Sequence, residues 1–268
     1  MKTTPYVQVE GLVSRYGERT ILDGVTFDAH RGEITVILGG SGCGKTTVLR
    51  NIVGLLTPAS GRILIDGQDI HRVSEEEQEA MLRNIGMSFQ AGALFNSMTL
   101  EDNIALPIIE HLHAAPRTAR MLARMKLGLV GLERAAHLLP SEISGGMKKR
   151  AAVARALALN PTLLLFDELS AGLDPVTARE LDELILSLKH QFDMAIVIVT
   201  HELGSIQMIA DQAIMLHQGK VIASGPLREV QAAEHPQVRA FFDRRPRPSE
   251  TRNGLLAAIL AEEGDARG

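Results

Sequence analysis

The stretch Gly39-Gly40-Ser41-Gly42-Cys43-Gly44-Lys45-Thr46 has the spacing G-x-x-x-x-G-K-[ST] of a phosphate-binding loop. It follows an apolar, β-branched run at residues 34–38, which predicts a strand, and it precedes a helical pattern at residues 47–55. Glycines let the backbone curl so that several N–H groups point at one anion, and the helix adds the positive end of its dipole. This context predicts a nucleoside triphosphate site in an α/β fold, because a glycine-rich turn with a chance lysine would need neither the strand nor the helix.

The side chains of this loop predict how the nucleotide is held. Lys45 would reach the β- and γ-phosphates, and the hydroxyl of Thr46 would ligate Mg²⁺. Cys43 is the single cysteine in the sequence, so it has no internal disulfide partner, and its small side chain suits the loop. The predicted ATP-binding residues of this segment are Gly39, Gly40, Ser41, Gly42, Cys43, Gly44, Lys45, Thr46 and Thr47.

Composition limits the partners and the location that we expect. The net charge of −4, the 3% aromatic content and the absence of tryptophan argue against nucleic-acid binding. No apolar run reaches the roughly 18 residues that a membrane span needs, and the N-terminal residues lack the order of a signal peptide. A single cysteine fits a reducing cytosol. We therefore expect a cytosolic protein that has no nucleic-acid partner.

Apolar patterns predict an α/β nucleotide-binding core with an inserted helical segment. Short continuous apolar runs at residues 163–166 and 195–199 indicate buried parallel strands, and an amphipathic pattern at residues 176–189 indicates the helix that connects them. Residues 101–159 are almost wholly helical in pattern. The other predicted elements are a β-meander over residues 6–38, a strand at 62–65, a helix at 74–85, a strand at 85–89 and a hairpin of 213–216 with 220–222.

The predicted strand at residues 163–166 ends in two carboxylates, Asp167 and Glu168. Asp167 would anchor the magnesium ion through water, and Glu168 would polarise the attacking water. Two adjacent acids at a strand end also occur in solvated turns. The phosphate-binding loop upstream favours the catalytic interpretation.

The segment Ser141-Glu142-Ile143-Ser144-Gly145-Gly146-Met147-Lys148-Lys149-Arg150-Ala151 resembles the signature motif of ATP-binding cassette (ABC) ATPases, with its basic, alanine-rich helix. Other motifs of that family fall in order between residues 7 and 225: the adenine-stacking aromatic at Tyr16, the Q-loop at Gln90, the D-loop at residues 171–174 and the histidine of the H-loop at His201. The resemblance implies the ABC ATPase fold, which is an α/β P-loop NTPase with a RecA-like core, an antiparallel β subdomain and an inserted helical subdomain.

The resemblance also implies a role for each matched residue, and it implies an active ATPase that converts ATP and water to ADP and phosphate. Ser144, Gly145, Gly146 and Met147 would face the ATP of another subunit, and Asp174 would lie across the same interface, so one cassette per chain implies a homodimer. From the residues alone, the alternatives are that Tyr16 is a half-buried turn aromatic and that His201 is a core histidine. The implied catalytic residues are Glu168, His201, Gln90 and Lys45, and the implied magnesium ligands are Thr46, Gln90 and Asp167.

Three positions depart from the family pattern. Gly40 stands where proline is common, and we expect it to loosen the loop without removing N–H donors. Leu169 replaces the proline that usually follows the catalytic glutamate, and Met147 replaces the usual glutamine at the end of the signature. The catalytic side chains are all present, so we expect activity to be retained.

The segment at residues 88–99 looks like the corresponding region of the ATPase subunits of Mla-type (MCE-associated) phospholipid transporters, as do Met147 and the segments at 139–142 and 236–241. This resemblance implies two ATPase subunits under a permease on the cytoplasmic side of the bacterial inner membrane, an MCE-domain lipid-binding protein and, in some systems, a small STAS-domain protein. A groove at residues 90–96 would receive the permease. Leu94, Phe95 and Met98 suit that contact, or else they belong to the core of the helical subdomain. The alternative is an ABC importer or exporter for another substrate, such as an amino acid or a lipoprotein.

The predicted organisation is one ABC domain over residues 1–243, with a helical subdomain inserted at about residues 91–158 and a C-terminal tail at 244–268. The tail begins with an extended Arg-Arg-Pro-Arg-Pro segment, and residues 255–263 have the spacing of a short helix. It is either a frayed end or an arm that docks on a neighbouring chain.

Overall fold

The phosphate-binding loop connects the strand β3 (Ile34–Gly39) to the helix α1 (Lys45–Ile52) in a computed structural model that describes residues 4–90 and 94–243. The other strands are β1 (Val7–Tyr16), β2 (Arg19–Ala29), β4 (Ser60–Ile65), β5 (Gln68–Asp69), β6 (Ile85–Ser88), β7 (Leu163–Asp167), β8 (Ala195–Val199), β9 (Gln212–His217) and β10 (Lys220–Pro226). The other helices are α2 (Glu75–Arg83), α3 (Leu100–Leu112), α4 (Pro116–Leu129), α5 (Gly145–Ala156), α6 (Pro175–Phe192), α7 (Leu203–Ile209), α8 (Leu227–Ala232) and α9 (Pro236–Phe242).

The strands form two sheets. Five of the six strands in the larger sheet, whose order is β10-β9-β3-β8-β7-β6, are parallel, and β10 pairs antiparallel with β9 as the predicted late hairpin. The smaller sheet is antiparallel in the order β2-β1-β4-β5. The predicted strands at 163–166 and 195–199 are confirmed as β7 and β8, joined by α6.

The predicted β-meander over residues 6–38 is wrong at its last strand. β1 and β2 form a hairpin, but β3 leaves that sheet and pairs with β8 and β9. All six residues of β3 are buried, whereas β1 alternates buried with more exposed residues. A strand that is apolar on both faces belongs inside a covered parallel sheet.

The parallel sheet separates two hydrophobic clusters because its side chains alternate between faces. On one face, Ile37, Leu165 and Val197 pack with α1 and the antiparallel sheet. On the other face, Val36 and Phe166 pack with the helices. The sheet edge that carries the phosphate-binding loop and the acids at the end of β7 is thereby packed on both sides.

The segment between β6 and β7 is helical, as predicted, but several signals interrupt it. His113 adopts a left-handed conformation (φ 49°) after α3, and Pro116 is the first residue of α4. The side chain of Asn103, which is fully buried, binds the backbone of Phe95 through both its oxygen and its nitrogen, and it also donates to the Met98 and Thr99 carbonyls. This side chain fixes the start of the helical segment.

Some predictions fall on residues 1–3, 91–93 and 244–268, which lie outside the described residues. They include the whole C-terminal tail and part of the groove at residues 90–96. Within residues 4–90 and 94–243, no helix combines the length and the apolar character that crossing a membrane requires.

Candidate active site

The first glycine of the phosphate-binding loop is required by close packing. Gly39 has φ 147°, and a Cβ at that position would lie 2.2 Å from the carbonyl oxygen of Leu216 in β9. Gly44, with φ 107°, is the N-cap residue of α1, and its backbone leads directly into Lys45. The loop therefore packs closely on the sheet edge, and the N-terminus of α1 points into the space that the loop surrounds. This is the geometry of an anion site.

Lys45 is buried and ties the loop together. Its Nζ donates to the carbonyl oxygens of Gly39 and Gly40, at 3.1 Å in each case. The Gly40 carbonyl also accepts from the N–H of Cys43 at 3.3 Å. These bonds constrain the loop at Gly40, the position where the family often has proline, and an incoming phosphate would replace the carbonyls as partner of the ammonium group.

The Thr46 hydroxyl and the Asp167 carboxylate are hydrogen-bonded to each other beside the loop. The Thr46 hydroxyl donates to Asp167 Oδ1 at 3.2 Å, and Asp167 is only 5% exposed at the end of β7. Burial raises the pKa of the Asp167 carboxyl, and the Thr46 hydrogen bond opposes that rise. A desolvated carboxylate next to a hydroxyl at the phosphate end of the site fits Mg²⁺, which prefers oxygen ligands and bridges to phosphate oxygens.

Glu168 lies between two other predicted catalytic side chains, those of Gln90 and His201. Gln90 Nε2 donates to Glu168 Oε2 at 3.0 Å, and His201 Nδ1 lies 3.1 Å from Glu168 Oε1. Glu168 has φ 51°, and its N–H donates to the carbonyl of Val199 at 2.8 Å. A non-glycine residue in this backbone region carries strain that the surrounding structure must hold. The structure thus brings together Glu168, Gln90 and His201, which come from three distant parts of the sequence.

Lys149 is a site residue that the sequence patterns did not single out. Its Nζ, on the signature helix α5, donates to the backbone oxygen of Gln90 at 2.7 Å. Burial lowers the pKa of the Lys149 ammonium, and the nearby Glu168 carboxylate opposes that shift. This bond physically connects the helical segment to the Q-loop. The basic run at residues 148–150 was the available signal, but it does not indicate which lysine turns inward.

A cleft of about 740 Å³ contains the loop, Glu168 and His201. Its far wall comes from the ends of β9 and of α9, which contribute Met215, His217, Gln218, Gln237, Ala240 and Phe241. The α9 residues were not predicted to be near the nucleotide. Val238, which is fully buried, anchors α9 to the core, and its neighbours on the helix thereby line the cleft.

The signature and D-loop residues lie at two helix starts outside this cleft. Ser144 caps α5 by accepting from the N–H of Met147 at 3.3 Å. Asp174 caps α6 by accepting from the N–H groups of Val176 and Thr177, each at 3.1 Å, and the Thr177 hydroxyl bond chiefly lowers the pKa of the Asp174 carboxyl. None of the described residues that line the cleft belongs to either motif.

Two signature glycines differ in their surroundings. A Cβ at Gly146 would lie 2.4 Å from Thr177 Cγ2, whereas at Gly145 the nearest heavy atom would be 4.0 Å away. Gly146 is therefore needed for packing within the chain, and Gly145 is not.

Tyr16 is 44% exposed at the end of β1, and its hydroxyl accepts from Arg50 of α1 at 3.3 Å. Tyr16 does not line the cleft described above, and its stacking on adenine stays a prediction.

Comparison with known proteins places these features in one family. The family model described as ABC transporter matches residues 22–171. The chain is 42% identical over 236 residues to the intermembrane phospholipid transport system ATP-binding protein MlaF of Haemophilus influenzae, covering 88% of this chain and 89% of that protein. It is 41% identical over 239 residues to the probable ribonucleotide transport ATP-binding protein mkl of Mycobacterium leprae, covering 89% of this chain and 69% of that protein.

A solved structure agrees with the fold. The dimeric post-hydrolysis state of the ATP-binding cassette MJ0796, bound to ADP and Pi, matches with a TM-score of 0.75 and 31% identity, over 83% of this chain and 99% of that one. The chain belongs to the ABC transporter family and is an ATPase that binds ATP. The predicted fold class is confirmed. Cassettes of this family dimerise and work with membrane permeases.

Proposed function

We propose that this chain hydrolyses ATP with Glu168 as the general base for the attacking water. The 3.0 Å and 3.1 Å contacts of Glu168 with Gln90 and His201 support this assignment, because both side chains then flank the water that the carboxylate would polarise. Lys45 would bind the β- and γ-phosphates. Thr46, Asp167 and Gln90 would hold Mg²⁺, which supplies charge neutralisation on the phosphate oxygens when bound.

The complete site would contain residues of two chains. Ser144 and Gly145 start a helix whose N–H groups are suited to phosphate, yet they do not line the cleft of their own chain. The open space beside Gly145 leaves room for a partner's triphosphate. In a two-fold dimer, the signature of each chain would close the cleft of the other, and Asp174 would lie at the same interface. ATP would then hold the chains together until hydrolysis removes the γ-phosphate contacts.

The permease would dock at a groove between the core and the helical segment. This groove has a volume of about 440 Å³ and is lined from both sides, by β6 and α2 of the core and by α3 and α5. Lys149 also lies on α5, and it donates a hydrogen bond to the backbone oxygen of Gln90. Movement of α5 would therefore be transmitted to the Q-loop. None of the three predicted docking residues lines this groove. Leu94 packs on the core, Met98 is partly buried, and Phe95 is 45% exposed, with the guanidinium of Arg155, which does line the groove, over its ring.

The transported substrate would be a phospholipid, and the partners would be a permease in the inner membrane, an MCE-domain protein and, in some systems, a STAS-domain protein. The observation that carries this proposal is 42% identity to an intermembrane phospholipid transport ATPase over nearly the whole of both chains. The name of the mkl relative instead gives ribonucleotide transport as probable. A permease for an amino acid or a lipoprotein is the remaining alternative.

Affinity purification of the tagged full chain from its own membranes, followed by mass spectrometry of proteins and lipids, tests the proposal. We expect a polytopic permease, an MCE-domain protein and phospholipid. Recovery of a different class of permease would refute the phospholipid assignment, and the absence of any membrane protein would refute the transport role.

A pair of variants on α3 tests the docking groove. His111 lines it, and the neighbouring Leu112 is exposed without lining it. His111→Trp should fill the groove and reduce permease recovery, whereas Leu112→Trp should leave it unchanged. Equal recovery with both variants would refute the groove as the docking site.

A further inference from the structure

The backbone at the start of the Q-loop is held by a side chain of the signature helix. The pairing between β6 and β7 ends at Ser88 and Phe166, two residues before Gln90. Beyond that point, the backbone oxygen of Gln90 accepts from Lys149 Nζ at 2.7 Å. Within the part of the chain that the structure describes, no other hydrogen bond is made to the Gln90 backbone. The position of Gln90 therefore depends on Lys149.

The side chain of Gln90 needs this support because it is exposed. Its Nε2 donates to Glu168 Oε2 at 3.0 Å, but an exposed glutamine side chain has several accessible rotamers. A fixed backbone limits where the amide group can lie. A displacement of about 1 Å at a catalytic group is enough to slow a reaction by about 10²-fold. Loss of the Lys149 bond should therefore reduce activity through Gln90.

Lys149 is the lysine of the basic run that turns inward. It is partly buried, whereas the preceding Lys148 is exposed. Burial lowers the pKa of the Lys149 ammonium group, and the Glu168 carboxylate opposes this shift, so the ammonium group lies within electrostatic reach of the proposed base. Hydrogen bonds from a charged donor are stronger than those between neutral groups. Lys149 is thus well suited to fix a backbone oxygen.

A second contact joins α5 to the chain that follows β6. The guanidinium of Arg155 lies over the ring of Phe95, 4.9 Å from its centroid. Lys149 and Arg155 are six residues apart on α5, which is about 9 Å along the helix axis. The helix therefore holds this stretch at two separate points, and Lys149 makes the contact at the Q-loop.

We infer that Lys149 is a positioning residue for ATP hydrolysis, which holds Gln90 beside Glu168. It acts through the Gln90 backbone, and it does not line the nucleotide cleft of its own chain. The inference rests on the proposed roles of Gln90 and Glu168 at the attacking water. It is independent of the transported substrate.

Steady-state ATP hydrolysis by the full chain in its membrane complex tests this inference. Lys149→Met keeps the apolar stem of the side chain and a similar helix propensity, but it removes the donor. We expect kcat to fall about tenfold and KM for ATP to stay within about twofold, because the phosphate-binding loop is unchanged. Lys149→Arg, which still donates, should retain most of kcat.

A double-mutant cycle with Gln90→Ala shows whether Lys149 acts through Gln90. Gln90→Ala removes the amide that contacts Glu168 but keeps the backbone oxygen. This variant alone should lower kcat. Adding Lys149→Met should lower kcat by less than about a further twofold, since the group that Lys149 positions is already absent.

Lys126→Met is the matched control. Lys126 is another partly buried lysine of the helical segment, and its ammonium group donates to the side chain of Asn160. Its kcat should equal that of the wild type. The thermal unfolding midpoint of each variant verifies that it is folded.

The inference is overturned if Lys149→Met hydrolyses ATP at the wild-type rate, if Lys149→Arg is as slow as Lys149→Met, or if KM rises in parallel with the loss of kcat. It is also overturned if the effects of Lys149→Met and Gln90→Ala multiply in the double variant. A wild-type rate for Gln90→Ala would refute the proposed role of Gln90 and this inference with it. Failure of the Lys149 prediction alone leaves the roles of Gln90 and Glu168 standing.

Discussion

Among single residues, Glu168 carries the chemistry that we propose, because it lies within 3.1 Å of both Gln90 and His201. Glu168→Gln keeps the size of the side chain but removes the group that accepts a proton. We expect hydrolysis to fall by about 10²–10⁴-fold, the usual range for loss of a general base, while ATP binding is retained. Phosphate release and equilibrium binding of a fluorescent ATP analogue measure the two effects separately.

The control for that variant is Glu183→Gln on α6. Glu183 pairs with Arg179 at 3.2 Å on the surface, and such pairs contribute little to stability. Its hydrolysis rate should match that of the wild type. A Glu168→Gln protein that keeps more than about a tenth of the wild-type rate would contradict the role of Glu168.

Asp182 gives a prediction about stability and pH. Because burial raises the pKa of its carboxyl, the folded protein holds this proton at a higher pH than the unfolded chain does. The corresponding stability is fully present below the unfolded pKa and is lost as the pH rises through the folded pKa. We expect Asp182→Asn to have the higher unfolding temperature at neutral pH, and this gain should shrink as the pH falls towards about 4.

Calorimetry of both proteins across that pH range measures the difference. Asp167, whose pKa burial also raises, is present in both proteins and cancels from the comparison. Arg179 and Glu202 are the charged side chains in the groove beside Asp182, and Glu202→Gln serves as the control. A gain that is the same at all pH values would contradict the assignment of the effect to the Asp182 carboxyl.

At the level of helices and strands, Gly146 fixes how the signature helix α5 meets α6. Gly146→Ala would bring a methyl group to 2.4 Å from Thr177 Cγ2, and Thr177 cannot turn away without breaking its 2.6 Å hydroxyl bond to Asp174. Overpacking of this kind costs about 1–3 kcal/mol. We expect a lower unfolding temperature for Gly146→Ala, by about 2–4 °C for each kcal/mol.

Gly145→Ala is the matched comparison one residue earlier. Its nearest heavy atom would be 4.0 Å from the new methyl group, so the unfolding temperature should not fall. Any loss of ATPase activity in Gly145→Ala must then come from contacts outside its own chain. Equal destabilisation by the two alanines would show that the packing of α5 on α6 is not as described.

Local chemistry explains which elements the sequence predicts. The phosphate-binding loop and the strand β7, with Asp167 at its end and Glu168 directly after it, depend on neighbouring residues, and the structure has them where the patterns place them. Strand β3 was assigned to the wrong sheet because its partners β8 and β9 lie more than 150 residues further along the chain.

Parts of the site could not be predicted for the same reason, because their residues lie far apart in the sequence. The Lys149 bond to Gln90 spans 59 residues, and the cleft wall formed by α9 comes from the far end of the described chain. In each case the residue type is ordinary, and only the tertiary arrangement gives it a role.

For the whole molecule, the central claim is that each ATP site is built from two chains. Lys45→Ala removes the lysine that we propose binds the phosphates, and Gly145→Asp introduces a carboxylate at the open start of the signature helix, where it would repel a partner's triphosphate. A dimer of either variant has one defect in each of its two sites. In a mixed dimer, both defects fall in one site, and the other site is intact.

ATP hydrolysis by permease complexes assembled from an equal mixture of these two variants tests the claim most directly. Sites shared between chains predict that two inactive proteins regain activity together, up to about a quarter of the wild-type rate, because half of the dimers are mixed and each has one intact site. If each site lay within a single chain, the mixture would be as inactive as either variant alone, and that result would contradict the account.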